Sequence, residues 1–156
     1  MIKILFLCHG NICRSPMAEF VMKDLAAKAG FSELCRISSL AATTEEVGQD
    51  MYPPVKRLLT EKGVPFSPRK ARLLTIADYE AADYLVCMDQ ENLDDLQFLT
   101  HGDPERKVSL LLDWAKEHRE VADPWFTHDY ETTYRDVLKG CRALLEALFK
   151  NMSPLY

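Results

Sequence analysis

Apolar positions along this chain switch repeatedly between a strand-like and a helix-like period. Ile2–Leu7 is a nearly unbroken apolar run, as a parallel strand covered on both faces requires. A helical stripe follows at Ala18, Val21, Met22, Leu25, Ala26 and Ala29, with Ser15 expected as its cap, Pro16 in its first turn and Gly30 as its stop. Cys35–Leu40 reads as a second strand, and Pro53-Pro54 opens a helix through Lys62 that Gly63 ends. Thr75 caps a short helix Ile76–Ala82. Asp83–Met88 is a third strand, Asn92–Leu99 a short helix and Lys107–Leu112 a fourth strand. The stripe Tyr130, Tyr134, Val137, Leu138, Cys141, Leu144, Leu145 and Leu148 closes the chain as a helix whose apolar face is core packing. Without repeats or linkers, this order predicts one α/β domain over residues 1–156, a three-layer sandwich with helices on both faces of a parallel sheet.

In such folds ligands gather at the carboxyl ends of strands. There, directly after Leu7, the chain reads Cys8-His-Gly-Asn-Ile-Cys-Arg14-Ser15. A tight turn between strand and helix aims backbone N–H groups at one point, and the helix dipole adds positive potential, so His9, Gly10, Asn11, Ile12, Cys13, Arg14 and Ser15 form a candidate phosphate cradle. Arg14 supplies a planar, charged fork for two phosphate oxygens. The same field favours a thiolate at Cys8. Gly10 lets the backbone approach the anion, Asn11 tolerates the left-handed bend, and the Ser15 hydroxyl is placed to bond the Cys8 sulfur.

The rest of the composition narrows the chemistry. The net charge of −5 argues against nucleic acid as a partner, so Arg14 acts locally within an acidic protein. Five cysteines without a disulfide-like or C-x-x-C spacing fit a reduced, cytoplasmic setting and no zinc motif. No stretch is long enough to span a bilayer, so no membrane partner is expected. The four histidines show no metal-ligand spacing, and neither a metal nor a cofactor is expected; His9 is expected to point to solvent. A cysteine-protease reading lacks its base.

A thiolate that attacks phosphorus needs a proton donor for the departing oxygen. The candidate is Asp123 in Val121-Ala-Asp-Pro-Trp-Phe126, a turn before the last helix, where Trp125 and Phe126 would wall a flat ring. Cys13 lies close enough in sequence to trap an oxidised Cys8 as a disulfide.

The segment Leu7-Cys-His-Gly-Asn-Ile-Cys-Arg-Ser-Pro-Met-Ala-Glu19, together with Asp123-Pro124-Trp125, resembles the low-molecular-weight protein tyrosine phosphatases of the bacterial type. The resemblance implies a four-stranded parallel sheet in the order 2-1-3-4 and a two-step, metal-free hydrolysis of phosphotyrosine in protein substrates. It makes Cys8 the nucleophile that forms a phosphocysteine, Arg14 and the loop amides the oxyanion clamp, and Asp123 the acid and then the base. Inorganic phosphate and other oxyanions are the implied inhibitors. Ser39 is similar to a family serine that bonds the asparagine, here Asn11, and Asp89 in Cys87-Met-Asp89 to a supporting group near the loop. Two departures stand out. A stretch that often begins with histidine reads Arg69-Lys-Ala-Arg72 here, leaving a supporting bond to the loop missing or remade. Acidic Glu45 and Glu46 occupy a variable rim position, where they would favour basic residues flanking the phosphate. Related phosphoarginine phosphatases carry threonine where this chain has Ile12, a side chain suited to a tyrosine ring. Arsenate reductases of similar fold need two more cysteines near the third strand, where only Cys87 lies. A non-catalytic phosphopeptide-binding module would need neither Cys8 nor Asp123.

Overall fold

The structure, a computed structural model, describes residues 1–150; the last six residues of the expected domain, 151–156, lie outside them. Four strands, β1 (Ile2–Cys8), β2 (Cys35–Ala41), β3 (Tyr84–Cys87) and β4 (Val108–Leu110), pair in parallel in the order β2-β1-β3-β4, as expected. The central strand β1 is paired on both edges, with Cys8 opposite Ala41 and Leu7 opposite Cys87. Side chains alternate between the faces. Ile4, Phe6 and Cys8 face a layer built from α1 (Arg14–Ala29), α2 (Pro53–Glu61) and a long C-terminal helix, Tyr130–Phe149, whereas Leu5 and Leu7 face α3 (Ile76–Ala81) and α4 (Gln90–Leu99). Both faces are therefore dry, which explains the nearly unbroken apolar run.

Element ends differ from expectation where side chains take over backbone bonds. Strand β3 is shorter than Asp83–Met88 because Asp83 accepts from Lys3 N and because Met88 N donates to Asn92 Oδ1. Asp89 then caps α4 in a reciprocal box with Asn92, so that helix starts at Gln90. Strand β4 stops at Leu110, the partner of the last residue of β3. With no further edge to pair, Leu111–Ala115 turns into a 3-10 helix that buries Leu111 and Leu112. Thr75 caps α3 as expected, and Gly30 ends α1 with a left-handed φ of 81°.

The turn after β4 sets a packing limit. Leu111 lies flat on Gly140 of the C-terminal helix, and a Cβ added there would come within 2.8 Å of Leu111 Cδ1 and closer still to Cγ. Alanine is the better helix former by about 1 kcal/mol, but overpacking a closed core costs about 1–3 kcal/mol. Gly140→Ala is accordingly expected to lower the urea midpoint of unfolding with an unchanged m-value; a raised midpoint would show that Leu111 moves aside freely.

Candidate active site

The loop leaving β1 is pinned from outside through its carbonyls. Cys8 O accepts from Ala42 N (3.0 Å), His9 O from Thr43 N (3.1 Å) and Thr43 Oγ1 (2.9 Å), Ile12 O from Tyr52 N (2.9 Å), and Cys13 O from Met17 N (3.1 Å). A trans peptide holds its C=O and the next N–H in opposite directions. The N–H groups of His9, Gly10, Cys13 and Arg14 are therefore turned away from those outer partners, towards the hollow the loop encloses. Among the described residues, no N–H from Gly10 to Arg14 donates to a protein acceptor. With the N-terminus of the 16-residue helix α1 behind it, the loop has the geometry of an anion cradle. Gly10 has a further reason to be glycine: a Cβ there would press within 3.1 Å of Glu46 Cγ, where the turn after β2 closes over the loop.

Cys8 is 3% exposed, with Sγ 3.0 Å from Ser15 Oγ and 3.4 Å from Ser15 N. Ser15 is not the helix cap. The helix begins at Arg14, Cys13 occupies the cap position without a side-chain bond, and the Ser15 hydroxyl turns to the sulfur instead. A hydrogen-bond chain decides which way its proton points. Asn11, fully buried with a left-handed φ of 60°, has its Oδ1 fixed as acceptor by the Arg69 guanidinium and Arg72 N (3.4 Å). Its Nδ2 must then donate, to Ser15 Oγ (2.8 Å) and Ser39 Oγ (3.0 Å). Ser39 passes its own proton to Glu19 Oε1 (2.6 Å), whose Oε2 pairs with Lys23 (2.6 Å). Ser15 already accepts from Asn11, so its proton is free for Cys8, and two donors, the Ser15 hydroxyl and the Ser15 N–H, are aimed at one sulfur. The bond that the departure at Arg69 left open is remade by arginine.

Arg14 is 3% exposed and held at two points: Nη1 donates to Asp89 Oδ2 (2.6 Å) and to Val121 O (3.0 Å). Burial opposes its charge, but Cys8, Asp89 and Asp123 outweigh that and raise its pKa above the usual arginine value. Asp123 caps α5 (Pro124–Thr127), with Oδ1 accepting from Trp125 N (3.0 Å) and Oδ2 3.4 Å from Arg14 Nη2. Both catalytic candidates thus face the same cleft, of about 320 Å³, walled by Ile12, Trp125 and Phe126. Trp125 rests edge-on against Tyr52, which stacks in turn on Tyr130 in the first turn of α6 (Tyr130–Phe149).

Two further loop residues have charged surroundings that the sequence did not reveal. The His9 side chain is 33% exposed but does not stand free: its Nε2 lies 2.8 Å from Glu45 Oε2 and its Nδ1 3.2 Å from Glu91 Oε1. Burial opposes protonation, yet Glu45, Glu91 and Asp95 together raise the imidazole above its ordinary pKa. Cys13 is buried, and burial, with the negative charges of Cys8 and Asp123, pushes its thiol up to about 12. Sequence reasoning gave no role to Glu19, Tyr52 or Arg72. Only Glu19 carried a signal, a carboxylate inside an otherwise apolar helix face.

Comparison with known proteins agrees with this geometry. The family model for low molecular weight phosphotyrosine protein phosphatase matches residues 3–154. The low molecular weight protein-tyrosine-phosphatase YfkJ of Bacillus subtilis is 32% identical over 152 residues, covering 96% of this chain and 97% of its own. Its crystal structure gives a TM-score of 0.93 at 32% identity, with 96% of each chain covered. The human low molecular weight phosphotyrosine protein phosphatase is 36% identical over 148 residues, 92% of this chain and 93% of its own. A Drosophila arginine phosphatase, 26% identical and covering 96% of this chain and 99% of its own, gives a TM-score of 0.88. The chain therefore belongs to the low molecular weight phosphotyrosine protein phosphatase family.

Proposed function

We propose that residues 1–156 act as one domain that hydrolyses phosphotyrosine in protein substrates through a phosphocysteine. The observation that carries this reading is the convergence on Cys8 Sγ of two donors, an amide-lined loop and a clamped arginine. In the first step Cys8 Sγ forms a bond to phosphorus as the phosphorus–oxygen bond to tyrosine breaks. The electron pair leaves with the tyrosyl oxygen, and Asp123 Oδ2 delivers its proton. Arg14 and the loop amides hold the equatorial oxygens where charge concentrates. In the second step Asp123, now a carboxylate, takes a proton from the attacking water, the sulfur–phosphorus bond breaks, and the Ser15 hydroxyl steadies the returning thiolate. Free phosphate and related oxyanions compete for the same cradle. A cytoplasmic setting is supported by five cysteines that are all unpaired and buried. Among the described residues no helix is long and apolar enough to cross a membrane.

The Drosophila neighbour makes phosphoarginine the second reading. The cleft favours tyrosine, because Ile12, Trp125 and Phe126 offer apolar walls and no hydroxyl at position 12. We expect kcat/KM for phosphotyrosine peptides to exceed that for phosphoarginine peptides on the order of 10²-fold or more. Equal values, or a preference for phosphoarginine, would reject the assignment. A thiol relay to arsenate is disfavoured, since Cys87 is fully buried and burial pushes its thiol far up. Capture of a peroxide-oxidised Cys8 by Cys13 would run through a thiol held protonated at neutral pH, which makes it slow.

A further inference from the structure

His9 and two acids of α4 form an arrangement that phosphate hydrolysis does not use. Glu91 and Asp95 stand four residues apart on α4 and share a helix face beside the mouth of the cleft. One His9 ring nitrogen, one Glu91 oxygen and one Asp95 oxygen all lie within 4.8 Å of one another, and Nδ1 is the nitrogen 3.2 Å from Glu91. Two of these groups contribute buried atoms with no hydrogen-bond partner among the described residues: His9 Nδ1, from which Glu91 is near but out of line, and Asp95 Oδ2. Unpaired polar atoms at buried positions are costly and call for a ligand.

The other ring nitrogen supplies the second observation. His9 Nε2 is 2.8 Å from Glu45 Oε2, which makes that carboxylate the partner of Nε2 and leaves Nδ1 as the ring nitrogen on the side of Glu91, 3.2 Å away. A histidine that binds a metal through one nitrogen characteristically donates from the other to a carboxylate. An imidazole with two carboxylates suits a divalent transition ion, zinc above the harder magnesium or calcium. Ligand bonds of about 2.0–2.2 Å require the three groups to close by roughly an ångström, within the reach of side-chain rotation at a partly exposed rim.

We propose that His9, Glu91 and Asp95 form a divalent transition-metal site at the cleft rim, suited to zinc and oriented by Glu45. The fourth position is open to water. Such an ion ties α4 to the first residue of the phosphate loop and offsets the acidity of the rim.

The test measures Zn²⁺ affinity by chelator competition in a Cys8→Ser background, which removes the thiolate as a rival soft ligand. Cys8→Ser protein is expected to keep its zinc. Asp95→Asn and Glu91→Gln in that background should each weaken it by about tenfold or more, and Glu45→Ala by about tenfold although it removes no ligand. With Cys8 intact, Asp95→Asn should leave zinc-free phosphatase activity unchanged. Co²⁺ on the unsubstituted protein should show ligand-field bands without thiolate charge transfer. Loss of zinc on Cys8→Ser, unchanged affinity in both α4 variants, or a thiolate charge-transfer band would each overturn the site.

Discussion

Replacing Cys8 with serine should lower turnover on the order of 10⁵- to 10⁶-fold, the scale of losing a covalent nucleophile, while inorganic phosphate still binds. The two halves of this result separate because the groups that bind and the group that attacks are different. In the proposed site phosphate would be held by the N–H groups turned inward by the outer bonds to Ala42, Thr43, Tyr52 and Met17, and by Arg14, fixed by Asp89 and Val121 O. None of these contacts passes through the Cys8 side chain. Serine is near in size, but its hydroxyl does not ionise at neutral pH, so it cannot attack phosphorus as the thiolate does. Removing the thiolate also removes a negative charge facing the phosphate dianion, so affinity should hold or tighten. Calorimetric titration with inorganic phosphate, beside steady-state turnover of a phosphotyrosine peptide, reads both halves. Residual turnover within about 10²-fold of the unsubstituted enzyme would deny Cys8 its role, on the scale of general acid–base rather than covalent effects. Turnover and phosphate binding lost together would make Cys8 a structural member of the loop.

Local signals carried most of the fold. The apolar run of β1, the stripe of α1 and the turn residues between them lie within one stretch of chain, so the loop and its geometry could be read directly. Ser15 shows the limit of that reading. As the hydroxyl nearest the helix start it looked like a cap, but the sulfur and Asn11 compete for it from inside the loop, and the helix begins one residue earlier. The groups that orient the loop come from far along the chain. Arg69 reaches Asn11 across 58 residues and Val121 meets Arg14 across 107, distances at which sequence spacing carries no geometric information. The same holds for His9, whose acidic neighbours on α4 are brought to it only by the pairing of β1 with β3. The apolar run Lys107–Leu112 outlasts β4, because such a run does not reveal that its partner strand ends at Cys87.

Asp123 carries the other large effect, and its substitution should discriminate between substrates rather than slow them all alike. Its two oxygens have separate duties: Oδ1 accepts from Trp125 N and caps α5, while Oδ2 reaches into the cleft beside Arg14. Asparagine keeps the cap, since it serves at that position as well as aspartate, but it neither gives nor takes a proton. Asp123→Asn should therefore leave thermal stability close to that of the unsubstituted enzyme. For phosphotyrosine, whose leaving phenol has a pKa of about 10, kcat should fall by about 10² to 10⁴-fold, the usual range for a positioned acid. An ester of a strongly acidic phenol departs without help, so its first step should be nearly spared. The second step still needs a base to activate water, and with such an ester phosphocysteine should accumulate as a burst of released phenol followed by slow turnover. Rapid-mixing kinetics on the two esters decide the matter. Equal losses on both, with no burst, would remove Asp123 from proton transfer and leave it as the cap of α5 alone.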